Sequence, residues 1–146
     1  MTHLLPTFHD AVHVLGRVDG KLVTHALWVT RWLQSGDKSL WCTAFVEAVA
    51  TDHAYRRRGY ASAVMRRITE EIKDYDIGGL CTGGSQHLYQ TVGWQLWQGP
   101  LSIRLKDGTF MPTPDEHGVM VLTLPKTPPF NLASPLSAEW REGELW

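Results

Sequence analysis

The chain has 146 residues and a mass of 16.5 kDa, of which 43% of residues are apolar and 20% are charged. This size predicts one domain whose core needs no disulfide or metal for support. The formal net charge of −1 excludes the basic surface of a general nucleic-acid binder and the acidic excess of a disordered chain. Residues 1–106 carry 12 basic and 9 acidic side chains, whereas residues 107–146 carry 2 and 6. This separation of charge predicts two ligands of opposite sign.

The first half of the chain predicts a hairpin, a buried strand and a long helix. Residues 11–33 are rich in β-forming residues around a turn at Val18–Lys21. Residues Leu40–Ala50 are almost continuously apolar, which is typical of a central strand buried on both faces. From Arg58 to Tyr75 the apolar residues recur at helical spacing, with charged residues on the other side.

The chain then returns as a short strand, predicted at Ile77–Thr82, and a short helix, predicted at Ser85–Val92. Three further strands are predicted at residues 94–97, 101–105 and 119–124. The order of strand, helix and strand predicts a mixed α/β sheet in which a crossover makes residues 40–50 and 77–82 parallel. The acidic and aromatic segment at residues 139–146 contains two tryptophans, so we expect it to dock on the domain.

Cysteine and histidine usage predicts neither a disulfide framework nor a metal site. Cys42 and Cys81 lie far apart in apolar runs, as free thiols of a cytoplasmic protein would, although one disulfide stays possible. His9 and His13 are four residues apart, but no nearby ligands complete a site. Met1–Phe8 lacks a signal-peptide pattern, and every apolar run is too short to span a membrane.

The segment with the clearest chemistry is Arg56–Ala61, which lies between the buried strand and the long helix. A helix N-terminus offers free backbone amides and a partial positive charge, and three arginines add donors. Gly59 allows a close approach to the backbone. The spacing matches neither the dinucleotide fingerprint nor the P-loop. The segment therefore predicts a polyphosphate site, the alternative being an ordinary basic helix start.

Glu47 is the only carboxylate in its apolar strand. A carboxylate in such a strand is solvated, paired or functional. The sequence leaves two interpretations open: a functional group, or a strand residue that faces water or pairs with an arginine.

Several motifs together resemble a known family. Arg56–Ala61 fits the (Q/R)-x-x-G-x-(G/A) pattern of the GNAT N-acetyltransferases. Further motifs resemble the aminoglycoside 2′-N-acetyltransferases, namely Phe45–Ala50, Leu88–Trp94, Trp97–Pro100, Thr113–Gly118 and Trp140–Trp146. The resemblance covers roughly residues 11–146. It implies a single domain over residues 1–146 with the GNAT fold, in which a mixed, mostly antiparallel twisted sheet has a central V-shaped splay and flanking helices.

The resemblance implies acetyl-CoA as co-substrate and no metal. The strand before the loop would hold the pantetheine arm, and the loop amides and arginines would hold the pyrophosphate. The residues implied are Val49, Ala50, Thr51, Arg56, Arg57, Arg58, Gly59, Tyr60 and Ala61.

The resemblance also assigns two proton carriers for direct transfer of the acetyl group to an amine. Glu47 would accept the amine proton through water, and Tyr89 would protonate the leaving sulfur. Without the surrounding motif, Tyr89 would be interpreted as a core aromatic residue.

The acceptor implied by the resemblance is an aminoglycoside, a polycation whose site should be lined by carboxylates. The residues implied are Cys81, Thr82, Asp115, Glu116, Glu144 and Trp146 with its α-carboxylate. The alternatives are a solvated turn for the Asp115–Glu116 pair and a core thiol for Cys81.

The family has a further strand and two helices before the hairpin, where this sequence has about ten residues. We therefore expect a more open acceptor site, a site closed by a partner subunit as in a homodimer, or a different acceptor, with Asp10 as a partial replacement. The function implied is acetylation of aminoglycosides at the 2′-amine, which confers antibiotic resistance. The alternatives are acetylation of a polyamine or peptide, and acyl-CoA binding without catalysis. Neither a nucleic acid nor a membrane is expected as a partner.

Overall fold

The computed structural model describes residues 11–146, so the features assigned above to residues 1–10, including Asp10 and His9, lie outside the described residues. The described chain forms one sheet with two α-helices. The strands are β1 Val12–Val18, β2 Lys21–Ser35, β3 Trp41–Thr51, β4 Ile77–Cys81, β5 Gln95–Leu96, β6 Leu101–Arg104, β7 Phe110–Pro112, β8 Val119–Thr123 and β9 Leu136–Glu139; the helices are α1 Tyr60–Glu71 and α2 Gln86–Thr91.

The strands follow the order β5-β8-β4-β3-β2-β9-β6-β7, and β1 also pairs with β2. β3 and β4 are parallel, as are β6 and β9, while the other pairs are antiparallel. The predicted mixed sheet and the parallel return after the long helix are therefore confirmed. β2 is 15 residues long, which lets it pair with β1 near its start and with β9 through Gln34 and Ser35.

The predicted turn of the first hairpin has the geometry that its sequence favours. Asp19 and Gly20 both have positive φ, at 50° and 79°. Two consecutive left-handed residues match the right-handed twist of the flanking strands. The pairing of β1 and β2 therefore starts directly at the turn, with Val18 opposite Lys21, and its register shifts once, between Arg17 and Gly16.

β3 and β4 part before β3 ends. Their last register pair is Val46 with Leu80, after which β4 ends at Cys81 and β3 continues to Thr51. In β3, Ala48 has a φ of 54°, and the register with β2 shifts at this point. This β-bulge bends the strand away from its parallel neighbour. The result is a V-shaped opening between β3 and β4.

Alternate residues of the central strands face two cores, as the period of a strand requires. On the face that carries α1, Trp28 and Val46 pack with Met65 and Ile68 of the helix. On the other face, Leu27 and Phe45 pack with a second apolar group that includes Trp97 and Trp146. The segment at residues 139–146 is thus docked, with the Trp146 side chain 5% exposed.

Some boundaries differ from those predicted. The long helix spans Tyr60–Glu71 rather than Arg58–Tyr75, because Gly59 caps it in a left-handed conformation with a φ of 82° and the chain turns after Ile72. β7 and β9 were not predicted from the sequence. Both cysteines are free and half-buried. No helix in residues 11–146 is long and apolar enough to cross a membrane.

Candidate active site

A cleft of about 760 Å³ lies where β3 continues past β4 and the chain enters α1. Eight of the nine residues assigned to coenzyme A line it: Val49, Ala50, Thr51, Arg56, Arg57, Gly59, Tyr60 and Ala61. Arg58 is not in the lining, but its guanidinium carbon lies 5.2 Å from the ring centroid of Tyr55, which does line the cleft. The structure therefore brings the predicted polyphosphate loop and the end of β3 into one site.

The loop before α1 is shaped for an anion. Asp52 begins it by accepting a hydrogen bond from the Ala54 amide at 2.9 Å, and Arg57 and Gly59 then adopt positive φ angles of 64° and 82°. A Cβ on Gly59 would meet no atom within 4 Å, so glycine is favoured there by its backbone conformation. All three arginines are exposed beside the first free amides of α1.

Tyr89 lies on α2 and lines the same cleft. It is 7% exposed and packs with the helix-side core, and burial raises the pKa of its phenol. The ring therefore keeps its proton at neutral pH. Tyr89 is therefore a core aromatic residue that also forms part of the cleft wall, and its role as proton donor stays a prediction.

Glu47 and Cys81 are the first residues after the last pair of β3 and β4, so they lie side by side at the vertex of the V. Their side chains share the face of the sheet opposite α1. Cys81 donates a hydrogen bond to Glu116 at 3.0 Å. Burial, this bond and the charges of Glu116, Glu144 and Glu47 raise the pKa of the Cys81 thiol to about 12. Four of the predicted residues therefore form one group, which we call the acidic cluster: Glu47, Cys81, Glu116 and Glu144.

The other predicted acceptor residues have different surroundings. Thr82 follows β4, and its hydroxyl accepts a hydrogen bond from the Ser85 amide at 3.1 Å, which joins β4 to α2. Asp115 is exposed in the loop before β8. The indole nitrogen of Trp146 donates to the Thr113 hydroxyl at 3.0 Å, so the ring holds the chain end against that loop.

The sequence did not reveal the partner of Glu47. Its carboxylate accepts a hydrogen bond from the Arg141 guanidinium, and their side chains are 11% and 13% exposed. Pairing with an arginine was one of the two open interpretations of Glu47. Its partner lies 94 residues further on, in a segment singled out only for its acidic and aromatic residues. No local signal could have identified it.

A metal site is not formed by the part of the chain that the structure describes. In residues 11–146, no group of three or more His, Cys, Asp or Glu side chains could hold an ion. His13 and His25 instead hydrogen-bond to each other at 2.8 Å.

Comparison with known proteins identifies the family to which this chain belongs. Residues 6–97 match the family model described as the acetyltransferase (GNAT) domain. A curated aminoglycoside 2′-N-acetyltransferase from Mycolicibacterium fortuitum is 33% identical over 94% of this chain and 75% of its own length. The chain belongs to the GNAT acetyltransferase family.

Solved structures agree in fold. A GNAT family N-acetyltransferase (YhbS) from Escherichia coli, in complex with CoA, has a TM-score of 0.59 at 15% identity over 89% of this chain and 67% of that one. Eis1 from Mycobacterium abscessus has a TM-score of 0.55 at 21% identity over 62% of this chain, which spans only 24% of the Eis1 chain. The GNAT fold is therefore confirmed.

Proposed function

We propose that this chain is an acetyl-CoA-dependent N-acetyltransferase of aminoglycosides, with the 2′-amine as acceptor, and that acetylation of the drug confers resistance. The observation that carries the proposal is the placement of two sites of opposite charge along the same strand, β3. A cleft lined by Arg56 and Arg57 lies beside the end of β3, and an acidic cluster lies at the vertex where β3 and β4 part. A relative named as an aminoglycoside 2′-N-acetyltransferase supports the choice of acceptor. We propose that residues 1–146 act as a single domain in the cytoplasm.

The residues of the donor cleft fit coenzyme A, which supplies the acetyl thioester when bound. Among residues 11–146, β3 has no register partner on its β4 side beyond Val46. The backbone of Val49–Thr51 can therefore pair with the amides of a pantetheine arm. The loop amides and Arg56–Arg58 would hold the pyrophosphate, since charged donors at a helix N-terminus stabilise phosphate.

Two groups of the chain handle protons at opposite sides of the opening. Glu47 accepts the amine proton, directly or through one water, and its Oε2 atom has no hydrogen-bond partner among the described residues. Tyr89 donates a proton toward the sulfur from the cleft wall, because its raised pKa keeps the phenol neutral.

The acidic cluster would bind the other ammonium groups of the acceptor. The charges of Glu116 and Glu144 raise the pKa of the Cys81 thiol, and the exposed Asp115 is next to Glu116 in the sequence. We include Thr82 and the α-carboxylate of Trp146 in this site. Opposite charges across such a site favour a polycation over a neutral amine.

A pair of antibiotics that differ at one position tests the proposal. Kanamycin B carries an amine at C2′ where kanamycin A carries a hydroxyl. With acetyl-CoA and purified protein, we expect thiol release with kanamycin B and none above background with kanamycin A. Equal rates for the two would contradict 2′ regioselectivity. Turnover of spermidine or a lysine peptide with both kanamycins inert would assign the enzyme to a different cationic amine.

A further inference from the structure

The contact between Glu47 and Arg141 joins the vertex of the V to the segment at residues 139–146. One nitrogen of the guanidinium, Nη2, donates to Oε1 of the carboxylate. The remaining atoms Glu47 Oε2 and Arg141 Nη1 are both buried and have no hydrogen-bond partner among residues 11–146. The carboxylate is therefore held through one oxygen only, and its second oxygen makes no hydrogen bond to residues 11–146.

Arg141 is itself fixed by contacts that do not involve Glu47. Its Nε atom donates to the Glu144 carbonyl at 2.5 Å, and its guanidinium carbon lies 5.6 Å from the centroid of the Phe45 ring. A hydrogen bond to the backbone and a cation–π contact restrict the guanidinium independently of the ion pair. Phe45 precedes Glu47 by two residues on the same face of β3, so the aromatic contact sets Arg141 directly beside the carboxylate.

A second arginine fastens the segment that carries Arg141. Arg31 is 2% exposed and donates to the carbonyls of Glu139 and Leu145, each at 2.6 Å, and to the Glu139 carboxylate at 2.9 Å. Burial and the nearby charge of Arg141 lower the pKa of Arg31 to about 10. These bonds lie on both sides of Arg141 in sequence, so the segment cannot swing away without breaking them.

On the basis of the proposed function, we propose that Arg141 is a positioning residue, which fixes the Glu47 carboxylate through Oε1 at the vertex of the V, where this carboxylate accepts the amine proton. The rival role is inhibition, in which Arg141 occupies Glu47 until an ammonium displaces it. Three features favour positioning: only one oxygen is engaged, the guanidinium has its own anchors, and Arg31 restrains the segment. A catalytic group misplaced by about 1 Å can lose about 100-fold in rate.

A double-mutant cycle tests this role with acetyl-CoA and kanamycin B as substrates. We expect Arg141→Gln to lower kcat by about 10- to 100-fold while the KM for acetyl-CoA changes less than about twofold. Arg141→Lys keeps the charge and should recover part of the loss. In a Glu47→Gln background, Arg141→Gln should change kcat less than about threefold, because the group that Arg141 positions is already inactive.

Arg104→Gln is the matched control, since Arg104 hydrogen-bonds Ser137 and the Trp32 carbonyl on the same sheet but not Glu47. It should leave kcat unchanged. Equal losses from Arg141→Gln in the wild-type and Glu47→Gln backgrounds would overturn the positioning role, because a merely structural effect adds. A faster Arg141→Gln enzyme would overturn it in favour of inhibition.

The outcomes separate this inference from the proposed function. If Glu47→Gln leaves kcat unchanged, the proposed proton acceptor is wrong, and the positioning role falls with it. If Glu47→Gln is slow and the cycle is additive, only the inference about Arg141 is wrong. A wild-type protein inert toward every amine would overturn both proposals. The contact itself could then still be tested by urea unfolding of wild type, Arg141→Gln, Glu47→Gln and the double variant, because a contact between the two side chains makes the changes in urea midpoint non-additive.

Discussion

At the scale of single residues, Tyr89 offers the sharpest test of the proton assignment. Tyr89→Phe removes one oxygen and leaves the buried ring in the helix-side core. We expect kcat to fall about 100-fold or more with an unchanged urea midpoint, since general acid catalysis contributes roughly 100- to 10,000-fold. Tyr75→Phe is the matched control, because that hydroxyl contacts Trp28 and Thr30 instead. An unaffected rate in Tyr89→Phe would mean that the sulfur is protonated by another group.

Cys81 should be an unreactive thiol. Its pKa of about 12, against an ordinary 9.0, keeps it protonated, so alkylation by iodoacetamide at pH 8 should be much slower in the native protein than in urea. The pKa of Cys81 is higher in the folded protein than in the unfolded chain, so the protonated thiol contributes to the free energy of unfolding. This contribution is complete below about pH 9 and is lost as the pH rises toward 12. The urea midpoint should therefore fall further between pH 8 and pH 11 in the wild type than in Cys81→Ser. Rapid labelling of native protein at Cys81 would contradict the hydrogen bond to Glu116.

The sequence predicted individual residues where chemistry is local. Glu47 was identified because a lone carboxylate in an apolar strand is costly, and the arginine loop because glycine and basic residues open a helix. Arg141 was not identified, because an ion pair across 94 residues depends on how the sheet closes. Arg31 was not identified for the same reason, because its buried guanidinium contacts a segment that begins 108 residues later.

At the scale of elements, the loop before α1 should act as an anion site. Replacing Arg56, Arg57 and Arg58 together by alanine should raise the KM for acetyl-CoA by about tenfold or more, since hydrogen bonds to charged groups contribute about 1.5–3 kcal/mol each. The matched control is Arg66→Ala with Arg67→Ala in the middle of α1, away from the cleft lining. An equal rise of KM in both variants would show only a loss of general positive charge.

The docked segment at residues 139–146 should depend on Arg31. Arg31→Met removes the donors to the Leu145 and Glu139 carbonyls and leaves those buried acceptors unpaired. We expect the free energy of unfolding to fall by at least about 2 kcal/mol, and the segment to become sensitive to carboxypeptidase. Arg104→Met serves as the comparison, because the hydrogen-bond partners of its side chain, Ser137 and the Trp32 carbonyl, lie outside this segment. A protease-resistant Arg31→Met protein would mean that the Trp146 ring is sufficient to hold the segment.

Elements with their own periodicity were predictable, and those made by tertiary pairing were not. β3 and α1 have long apolar patterns that fix their type, although the left-handed Gly59 starts α1 two residues later than predicted. β9 has four residues, Leu-Ser-Ala-Glu, and becomes a strand only because β6 and the end of β2 pair with it. β7 has three residues, Phe110–Pro112, and is a strand because it pairs with β6.

At the scale of the whole molecule, the two charged sites should respond to salt in the same direction. The Debye length falls from about 10 Å at 0.1 M salt to about 3 Å at 1 M, which weakens attraction between exposed charges. We expect the KM values for both acetyl-CoA and kanamycin B to rise over this range, while kcat stays nearly constant. A substrate KM that does not move with salt would show that its binding does not depend on the exposed charges. Sequence counts predicted the separation of charge, whereas the fold brings the two groups near each other along β3, because Glu47 precedes the cleft residue Val49 by two residues.

The span between Glu47 and Arg141 has a consequence for synthesis on the ribosome. A nascent chain that has exposed β1 to β4 holds the arginine loop and Glu47, yet it lacks the cation that pairs with this carboxylate. Translation of the 94 residues between the two side chains takes roughly 5–20 s at about 5–20 residues per second. β9 and the segment after it then complete the sheet by joining strands made much earlier, through Ser35 and Leu101. Transfer activity should therefore appear only after Arg141 leaves the exit tunnel, so stalled shorter chains should be inactive even when their first half is folded.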